Sequence, residues 1–269
     1  MKAEKVTPAV LKQMKERGEK STFLPVYDYP FAKILDECGV DAFLVGDSLG
    51  VRVMGRKDNL SVTIEEMIYH TQAVVRAAER AMVVTDMPFM SCEINIDEAK
   101  RNAGRLMKEG GADAVKVEGG VEAAETIRAL VSAGIPVMGH IGFSPQSIKL
   151  TGGSKVRGTT EEDRKLLLRD ARAVEEAGAF MVGLVLMNAD IAGEISRVLK
   201  IPTSGIGSGP YCDGFSLVLY DLIGLTMGSS LPKHVKKYAN IRDIVAEAVK
   251  QFIKEVKEGS FPDSEHSYK

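Results

Sequence analysis

Short, nearly continuous apolar runs alternate with segments that carry helix signals along the whole chain, and this alternation restricts the fold more than any other feature. The runs begin near residues 22, 41, 82, 113, 136, 179, 202 and 221. Strands of a parallel sheet are covered on both faces, so they read as continuous runs of Val, Ile, Leu and Met. Eight such βα units in 269 residues predict a (β/α)8 TIM barrel.

The boundaries between runs support this fold. Thr63 and Glu66 have the spacing of a capping box, and the Gly-Val-Asp-Ala motif at residues 39–42 marks a helix that ends at glycine before a strand begins. We expect one domain over residues 1–269, with a short N-terminal helix over residues 7–18 and a C-terminal tail. The alternative is a doubly wound open sheet, but the G-x-G-x-x-G motif expected after its first strand is absent.

The overall charge and the cysteine content exclude several classes of function. The chain has 35 Lys and Arg residues against 37 Asp and Glu residues, a net charge of -2, which predicts no nucleic-acid or anionic membrane partner. Its 3 cysteines are far apart and indicate neither a disulfide framework nor a zinc cluster. No stretch approaches the ~20 apolar residues of a membrane span, and the N-terminus lacks a signal-peptide core. We expect a cytoplasmic protein with a small-molecule partner.

Polar side chains stand at the ends of the apolar runs. In a barrel the chemistry lies at the C-terminal ends of the strands, so these residues are the candidates for a functional site. Lys116 and Glu118 are two residues apart in one run and therefore project to the same side of a strand, which in a barrel can be the lumen. The candidates from the second to the fifth run are Asp47, Ser48, Asp86, Lys116, Glu118 and His140.

The three carboxylates among these candidates predict a Mg²⁺ site formed by Asp47, Asp86 and Glu118. Carboxylates on neighbouring strands repel one another unless a cation or protons neutralise them, and ligation by oxygen alone suits Mg²⁺. A single aspartate at a strand end is as readily a helix cap. The joint placement of the three favours the metal.

Lys116 and His140 would then flank the metal. Such a site can chelate the carboxylate and keto oxygens of a 2-oxo acid and stabilise the enolate formed beside the carbonyl. The alternatives are a buried structural histidine and a lysine paired with Glu118. Two further features are weaker. The Gly-rich segment at residues 205–209 is either an anion cradle at the start of a following helix or a tight turn. The basic loop at residues 149–158 is either a lid or a solvated connection.

The chain resembles the 3-methyl-2-oxobutanoate (ketopantoate) hydroxymethyltransferase family nearly from end to end. The segments that carry the resemblance are residues 27–32, 45–50, 86–89, 115–120, 139–142, 144–147, 205–209 and 232–233. The resemblance implies a barrel of the phosphoenolpyruvate/pyruvate type and a homodecamer. It also implies Mg²⁺ bound by Asp47, Asp86 and Glu118, and contacts with the 2-oxo acid from Ser48, Lys116 and His140. Lys116 and His140 are the predicted catalytic residues.

The reaction implied by the resemblance belongs to pantothenate biosynthesis. A hydroxymethyl group passes from 5,10-methylenetetrahydrofolate to 3-methyl-2-oxobutanoate, or a closely related 2-oxo acid, through a metal-stabilised enolate. In the family a glutamate at the end of the sixth strand removes the C3 proton, but this chain has Val185 at that position. Loss of a positioned base typically costs about 10²–10⁴-fold in rate. Asp190, Tyr211 and His234 are candidate substitutes.

Two other functions stay open on the sequence alone. A Mg²⁺-dependent 2-oxo acid decarboxylase needs no proton-removing base, because the breaking C–C bond supplies the electrons of the enolate; a C–C lyase is a related variant. The third hypothesis is a degenerate paralogue that catalyses nothing and either binds a 2-oxo acid or serves as an assembly partner. Retention of all three carboxylates argues against it, since an unneutralised carboxylate cluster is costly.

Overall fold

The computed structural model describes residues 4–227 and 231–268. The chain divides into two compact units, Met1–Val218 and Leu219–Lys269. In the first unit, strands β1 to β8 are Ser21–Pro25, Ala42–Val45, Met82–Asp86, Ala114–Glu118, Val137–Gly142, Met181–Val185, Thr203–Ile206 and Gly214–Ser216. They form a closed parallel barrel in which β1 pairs with β2 and with β8. The predicted barrel is confirmed, and the single domain over residues 1–269 stays a prediction.

Helices follow most of the strands in chain order. In the first unit α1 to α9 are Pro8–Glu16, Tyr29–Glu37, Leu49–Arg52, Ile64–Val75, Ile96–Lys108, Ala124–Ser132, Ile148–Thr151, Glu161–Glu176 and Ala189–Val198. Short 3₁₀ turns lie at Val121–Ala123 and Pro145–Ser147. The second unit contains α10, Leu219–Leu222, and α11, Ile241–Glu258. The capping box predicted at the start of α4 is present, because Thr63 and Glu66 each accept a hydrogen bond from the other's backbone N–H.

The eighth strand differs from the prediction. The run near residue 221 belongs to helix α10, whereas β8 follows β7 directly, with no helix between them in the described chain. The only large apolar side chain of β8, Phe215, is 36% exposed, so no apolar run marks this strand. A Cβ on Gly214 would lie 2.1 Å from Oγ of Ser21 on β1. The prediction was wrong because close backbone packing, rather than burial of an apolar run, characterises this strand.

Apolar side chains fill the N-terminal end of the barrel lumen. The cluster comprises Val6, Leu11, Phe23, Ala42, Met82, Val84, Ala114, Met138 and Met181. Leu11 comes from α1, which confirms the predicted N-terminal helix, and Thr7 caps that helix by accepting a hydrogen bond from the N–H of Val10. Because the lumen is packed at this end, as in other barrels, the space for a ligand lies at the C-terminal ends of the strands.

We predict that the contact between β5 and α8 tolerates no added methyl group. A Cβ on Gly139 would lie 2.3 Å from Cγ1 of Val174, a fully buried residue of α8. Gly139→Ala should therefore lower the free energy of unfolding by about 1–3 kcal/mol, as overpacked cores do. The matched control is Gly104→Ala in α5, where the new Cβ meets no atom within 4 Å. That control should gain roughly 0.5–1 kcal/mol in urea unfolding; equal effects of the two variants would contradict the packing.

No helix of the described residues is long and apolar enough to cross a membrane.

The second unit has an exposed apolar face on helix α11. None of the residues of α11 is buried. Its exposed large apolar side chains are Ile244, Val245, Val249, Phe252, Ile253 and Val256. Exposed apolar surface of this extent is typical of a protein–protein contact.

Candidate active site

A cavity of about 170 Å³ opens at the C-terminal ends of the barrel strands. Its walls are polar on the side of β2 to β5 and largely apolar on the side of β6 to β8. The structure brings all the predicted site residues to this one cavity: Asp47, Ser48, Asp86, Lys116, Glu118 and His140. Their individual roles stay predictions.

Strand register places these side chains next to one another. Asp86 ends β3 and is paired with Lys116 on β4, while Glu118 at the end of β4 is paired with His140 on β5. Asp47 follows β2, just after Gly46. A Cβ on Gly46 would lie only 3.3 Å from Oδ2 of Asp86, so the glycine lets the loop after β2 approach β3 closely.

Two aspartates form the first part of the polar wall. Oδ2 of Asp86 accepts a hydrogen bond from the N–H of Asp47 at 3.1 Å, and Oδ1 accepts one from Nζ of Lys116 at 2.7 Å. The carboxylate of Asp47 accepts hydrogen bonds from Nδ2 of Asn59 and Nε2 of Gln146, both at 2.9 Å. These amides hold Asp47 in position but add no positive charge. The two aspartates are therefore neighbours with a single ammonium group beside them.

Glu118 lies on the other side of Lys116. One of its oxygens accepts a hydrogen bond from Oγ of Ser144, and the other lies 3.6 Å from Nζ of Lys116 and 3.2 Å from Nδ1 of His140. Nε2 of His140 is 2.8 Å from the carbonyl oxygen of Phe143. A carbonyl only accepts, so Nε2 carries the proton of this contact. Nδ1 is therefore unprotonated, and it has no hydrogen-bond partner because the Glu118 oxygen beside it also only accepts.

Burial and mutual repulsion dominate the electrostatics of the cluster. Burial, together with the charges of Asp86 and Glu118, raises the pKa of Asp47 to about 8. Burial acts in the same direction on Glu118, but His140, when both of its ring nitrogens are protonated, and Lys116 outweigh it and hold the pKa of Glu118 at about 2. The surrounding carboxylates likewise outweigh burial at Lys116 and keep its pKa above the ordinary value. Three carboxylates face one lysine, so the cluster lacks positive charge.

The donor set fits a cation that needs few protein ligands. Within the described residues, no three His, Cys, Asp or Glu side chains form a preassembled metal cage. Mg²⁺ is usually held by one or two carboxylates and completes its shell with water and substrate oxygens. The adjacent Asp47 and Asp86 suit this mode, whereas Lys116 stands between Asp86 and Glu118. The role of Glu118 as a third ligand stays a prediction.

The site is built on a scaffold shared with known proteins. The sequence profile of the family described as ketopantoate hydroxymethyltransferase matches residues 5–264. The chain belongs to this family. It is 53% identical over 258 residues to the 3-methyl-2-oxobutanoate hydroxymethyltransferase of Geobacter sulfurreducens, covering 96% of both chains. It is 52% identical over 266 residues to that of Acetivibrio thermocellus, covering 99% of this chain and 94% of the relative. The predicted family is confirmed.

Solved structures of low sequence identity share the fold of this ketopantoate hydroxymethyltransferase family member. The barrel is similar to 2,3-dimethylmalate lyase, a PEP mutase/isocitrate lyase superfamily member, with a TM-score of 0.60, 16% identity, and coverage of 97% of this chain and 91% of that one. It is also similar to phosphonopyruvate hydrolase crystallised with oxalate and Mg²⁺, with a TM-score of 0.62, 13% identity, and coverage of 96% and 92%. These likenesses support the predicted (β/α)8 barrel fold.

Val185 faces the same cavity as the charged cluster. It ends β6 and pairs in register with Gly142 and Ile206, and it presents an apolar side chain to the lumen. Of the three candidate substitutes for a base, Asp190 and Tyr211 are exposed and are absent from the described lining residues, and His234 belongs to the second unit. Within this cavity of the ketopantoate hydroxymethyltransferase family member, the titratable lining residues are those of the charged cluster.

The two weaker sequence features have different outcomes. The segment at residues 205–209 is a tight turn in which Oγ of Ser208 donates to the carbonyl oxygen of Leu184, and no helix begins before β8, so the anion cradle at a helix N-terminus is wrong. The basic loop at residues 149–158 contributes Lys155 and Arg157 to a second cavity of about 440 Å³, which shares His140 with the first. Its function as a lid stays a prediction.

Proposed function

We propose that the protein catalyses the Mg²⁺-dependent transfer of a hydroxymethyl group from 5,10-methylenetetrahydrofolate to 3-methyl-2-oxobutanoate, a step of pantothenate biosynthesis. The observation that carries the proposal is the buried cluster of Asp47, Asp86 and Lys116 at the mouth of a barrel of this family. When bound by the two aspartates, Mg²⁺ supplies Lewis-acid stabilisation of negative charge on the keto oxygen of the substrate.

The residues of the chain bind and orient the 2-oxo acid. Lys116 is buried and stays charged, so its ammonium group attracts the substrate's carboxylate and keto oxygens. Oγ of Ser48 is within 2.9 Å of the hydroxyl of Tyr27, which fixes its direction at the rim of the cavity. The cluster is shielded from solvent, and this strengthens each of these electrostatic contacts.

His140 is our candidate for the group that removes the C3 proton. Its Nε2–H is engaged with a backbone carbonyl, so Nδ1, which is unprotonated and has no hydrogen-bond partner in the protein, is the ring nitrogen that can accept a proton. Breaking the C3–H bond passes the proton to Nδ1, and the electron pair forms the C2–C3 double bond of the enolate. Glu118, 3.2 Å away, then stabilises the imidazolium, as a carboxylate does beside other catalytic histidines. C3 finally forms a bond to the methylene carbon of the donor. A water molecule supplies the hydroxyl oxygen, the bonds from that carbon to the folate nitrogens break, the proton held at Nδ1 returns to a folate nitrogen, and tetrahydrofolate leaves.

The second cavity supports the choice of the one-carbon donor. It shares His140 and Ser144 with the neighbourhood of the cluster, and its volume of about 440 Å³ exceeds that of the first. Lys155 lines it and can attract a carboxylate of a folate tail, whereas Arg157 is already paired with Asp163, and Glu122 and Asp170 line the same cavity. We place the folate in this cavity, next to the enolate carbon. The exposed apolar face of α11 suits a contact between subunits, and the homodecamer and the cytoplasmic location stay predictions.

Val185 favours one second candidate. Decarboxylation of a 3-carboxylated 2-oxo acid would use the same Lys116, Asp47 and Asp86 but needs no base at the end of β6. The test is to incubate the protein with 3-methyl-2-oxobutanoate and 5,10-methylenetetrahydrofolate and follow the hydroxymethylated product by mass spectrometry. We expect product with Mg²⁺ and none with EDTA. Absence of product together with CO₂ release from a 3-carboxylated 2-oxo acid would replace the transferase by the decarboxylase.

A further inference from the structure

Ser204 carries a buried hydroxyl group that the protein leaves without a partner. In the described part of the chain, the buried side-chain polar atoms that lack a hydrogen bond are Oγ of Ser91, Nδ1 of His140 and Oγ of Ser204. The last two line the same cavity. Buried polar atoms are nearly always hydrogen-bonded, so an exception at a cavity wall points to a ligand that supplies the missing bond.

The neighbours of Ser204 show that the hydroxyl group without a hydrogen-bond partner lies on the lumen side of β7. Ser204 is 2% exposed and pairs in register with Gly183 on β6 and Gly214 on β8, neither of which has a side chain. The preceding residue, Thr203, is also buried, but its hydroxyl is bonded to Ser196 and Asp213. Of these two neighbouring hydroxyl groups, the chain satisfies that of Thr203 and leaves that of Ser204 for a molecule in the cavity.

The charge distribution of the cavity tells which chemical group fits there. All its charged or titratable lining residues in the described chain lie on or after β2 to β5, namely Asp47, Asp86, Lys116, Glu118 and His140. The opposite wall, from β6 to β8, contains Val185 and Ile206 beside Ser204 and has no charged side chain. A second carboxylate at this wall would be buried without a cation, which is costly. A neutral oxygen at this wall carries no charge and therefore needs no cation beside it.

We propose that Ser204 is a specificity-determining residue that hydrogen-bonds a neutral oxygen on the carbon chain of the bound 2-oxo acid. The proposal rests on the proposed function, because the cavity wall formed by β2 to β5 is taken to bind the carboxylate and keto oxygens of the 2-oxo acid. It extends that function by assigning the site a preference for a hydroxylated 2-oxo acid over the same acid without the hydroxyl group. The hydroxymethylated product of the transfer reaction is one such acid.

The test compares two acids that differ by one hydroxyl group. Calorimetry with Mg²⁺ and without folate gives the affinities for 4-hydroxy-3,3-dimethyl-2-oxobutanoate and 3,3-dimethyl-2-oxobutanoate, neither of which has a C3 proton to lose. The wild type should prefer the hydroxylated acid by about three- to tenfold, the contribution of one neutral hydrogen bond. Ser204→Ala should reduce this preference to less than about twofold. Ser91→Ala removes an equally unpartnered hydroxyl outside the cavity and should leave the preference unchanged.

The outcomes separate the two proposals. Equal binding of both acids by the wild type, or a preference that survives in Ser204→Ala, overturns the role of Ser204 while the 2-oxo acid site stands. Binding of neither acid overturns the proposed function and the role of Ser204 with it. Ser204→Ala removes a hydroxyl with no partner in the protein, so its melting temperature should equal that of the wild type. If that variant does not fold, Ser204→Gly removes the same hydroxyl without leaving a methyl group and decides the same question.

Discussion

Asp86→Asn should weaken Mg²⁺ binding by roughly 100-fold or more and reduce hydroxymethyl transfer to the background rate. Loss of groups that merely support metal ligands already costs about 10–100-fold in affinity, and Asp86 is proposed as a ligand itself. Its two carboxylate oxygens also accept hydrogen bonds from Lys116 and from the N–H of Asp47. An amide of nearly the same size therefore removes one negative charge and, because its NH₂ group cannot accept, one of these two hydrogen bonds. Calorimetric titration with Mg²⁺ measures the effect.

Asp41→Asn is the matched control for that experiment. Asp41 is also buried and bound to a cation, with Oδ1 at 2.8 Å from Nη2 of Arg80, but it precedes β2 at the opposite end of the barrel strands. This variant should lose stability from its broken ion pair yet keep the wild-type Mg²⁺ affinity. Equal Mg²⁺ affinities in Asp86→Asn and the wild type would contradict the metal assignment.

Val185→Glu should raise the rate of hydroxymethyl transfer by about 10²-fold. Val185 ends β6 and lines the cavity, so a carboxylate there enters the space where the C3 proton has to leave. A positioned general base contributes about 10²–10⁴-fold, and the lower figure is expected because His140 already supplies part of this effect. Initial rates with saturating folate measure the gain.

Val185→Gln separates a new base from a mere change of shape. Glutamine has nearly the size of glutamate but accepts no proton, so this variant should transfer no faster than the wild type. A Val185→Glu protein that folds and binds Mg²⁺ without any gain in rate would contradict the placement of position 185 next to the reacting carbon. A gain in both variants would assign the effect to cavity shape.

The sequence predicted the barrel because seven of its strands are marked by apolar runs. Each of those runs reflects burial of a strand on both faces, which local composition records. Strand β8 could not be found in this way, since Gly214 is placed by its close approach to Ser21, a contact between residues far apart in the chain. The pattern near residue 221 was apolar as well, but it forms a helix.

The charged half of the site was predictable and the neutral half was not. A carboxylate or a lysine at the end of an apolar run is unusual, so Asp86 and Lys116 could be recognised from the sequence. Asn59 and Gln146 are common residue types in loops, and they reach Asp47 from 12 and 99 residues away. Ser204 gave no signal either, because only the folded structure shows which hydroxyl groups of a strand find a partner.

Exchange of the C3 proton of 3-methyl-2-oxobutanoate in D₂O, followed by NMR, tests most directly whether this cluster forms an enolate without a glutamate at position 185. The experiment needs no folate, and its controls are omission of Mg²⁺ and the His140→Gln variant. The account predicts loss of the C3 proton signal with Mg²⁺ in the wild type and little loss in either control. No exchange by a wild-type protein shown to bind Mg²⁺ would contradict it and favour chemistry that begins by breaking a C–C bond.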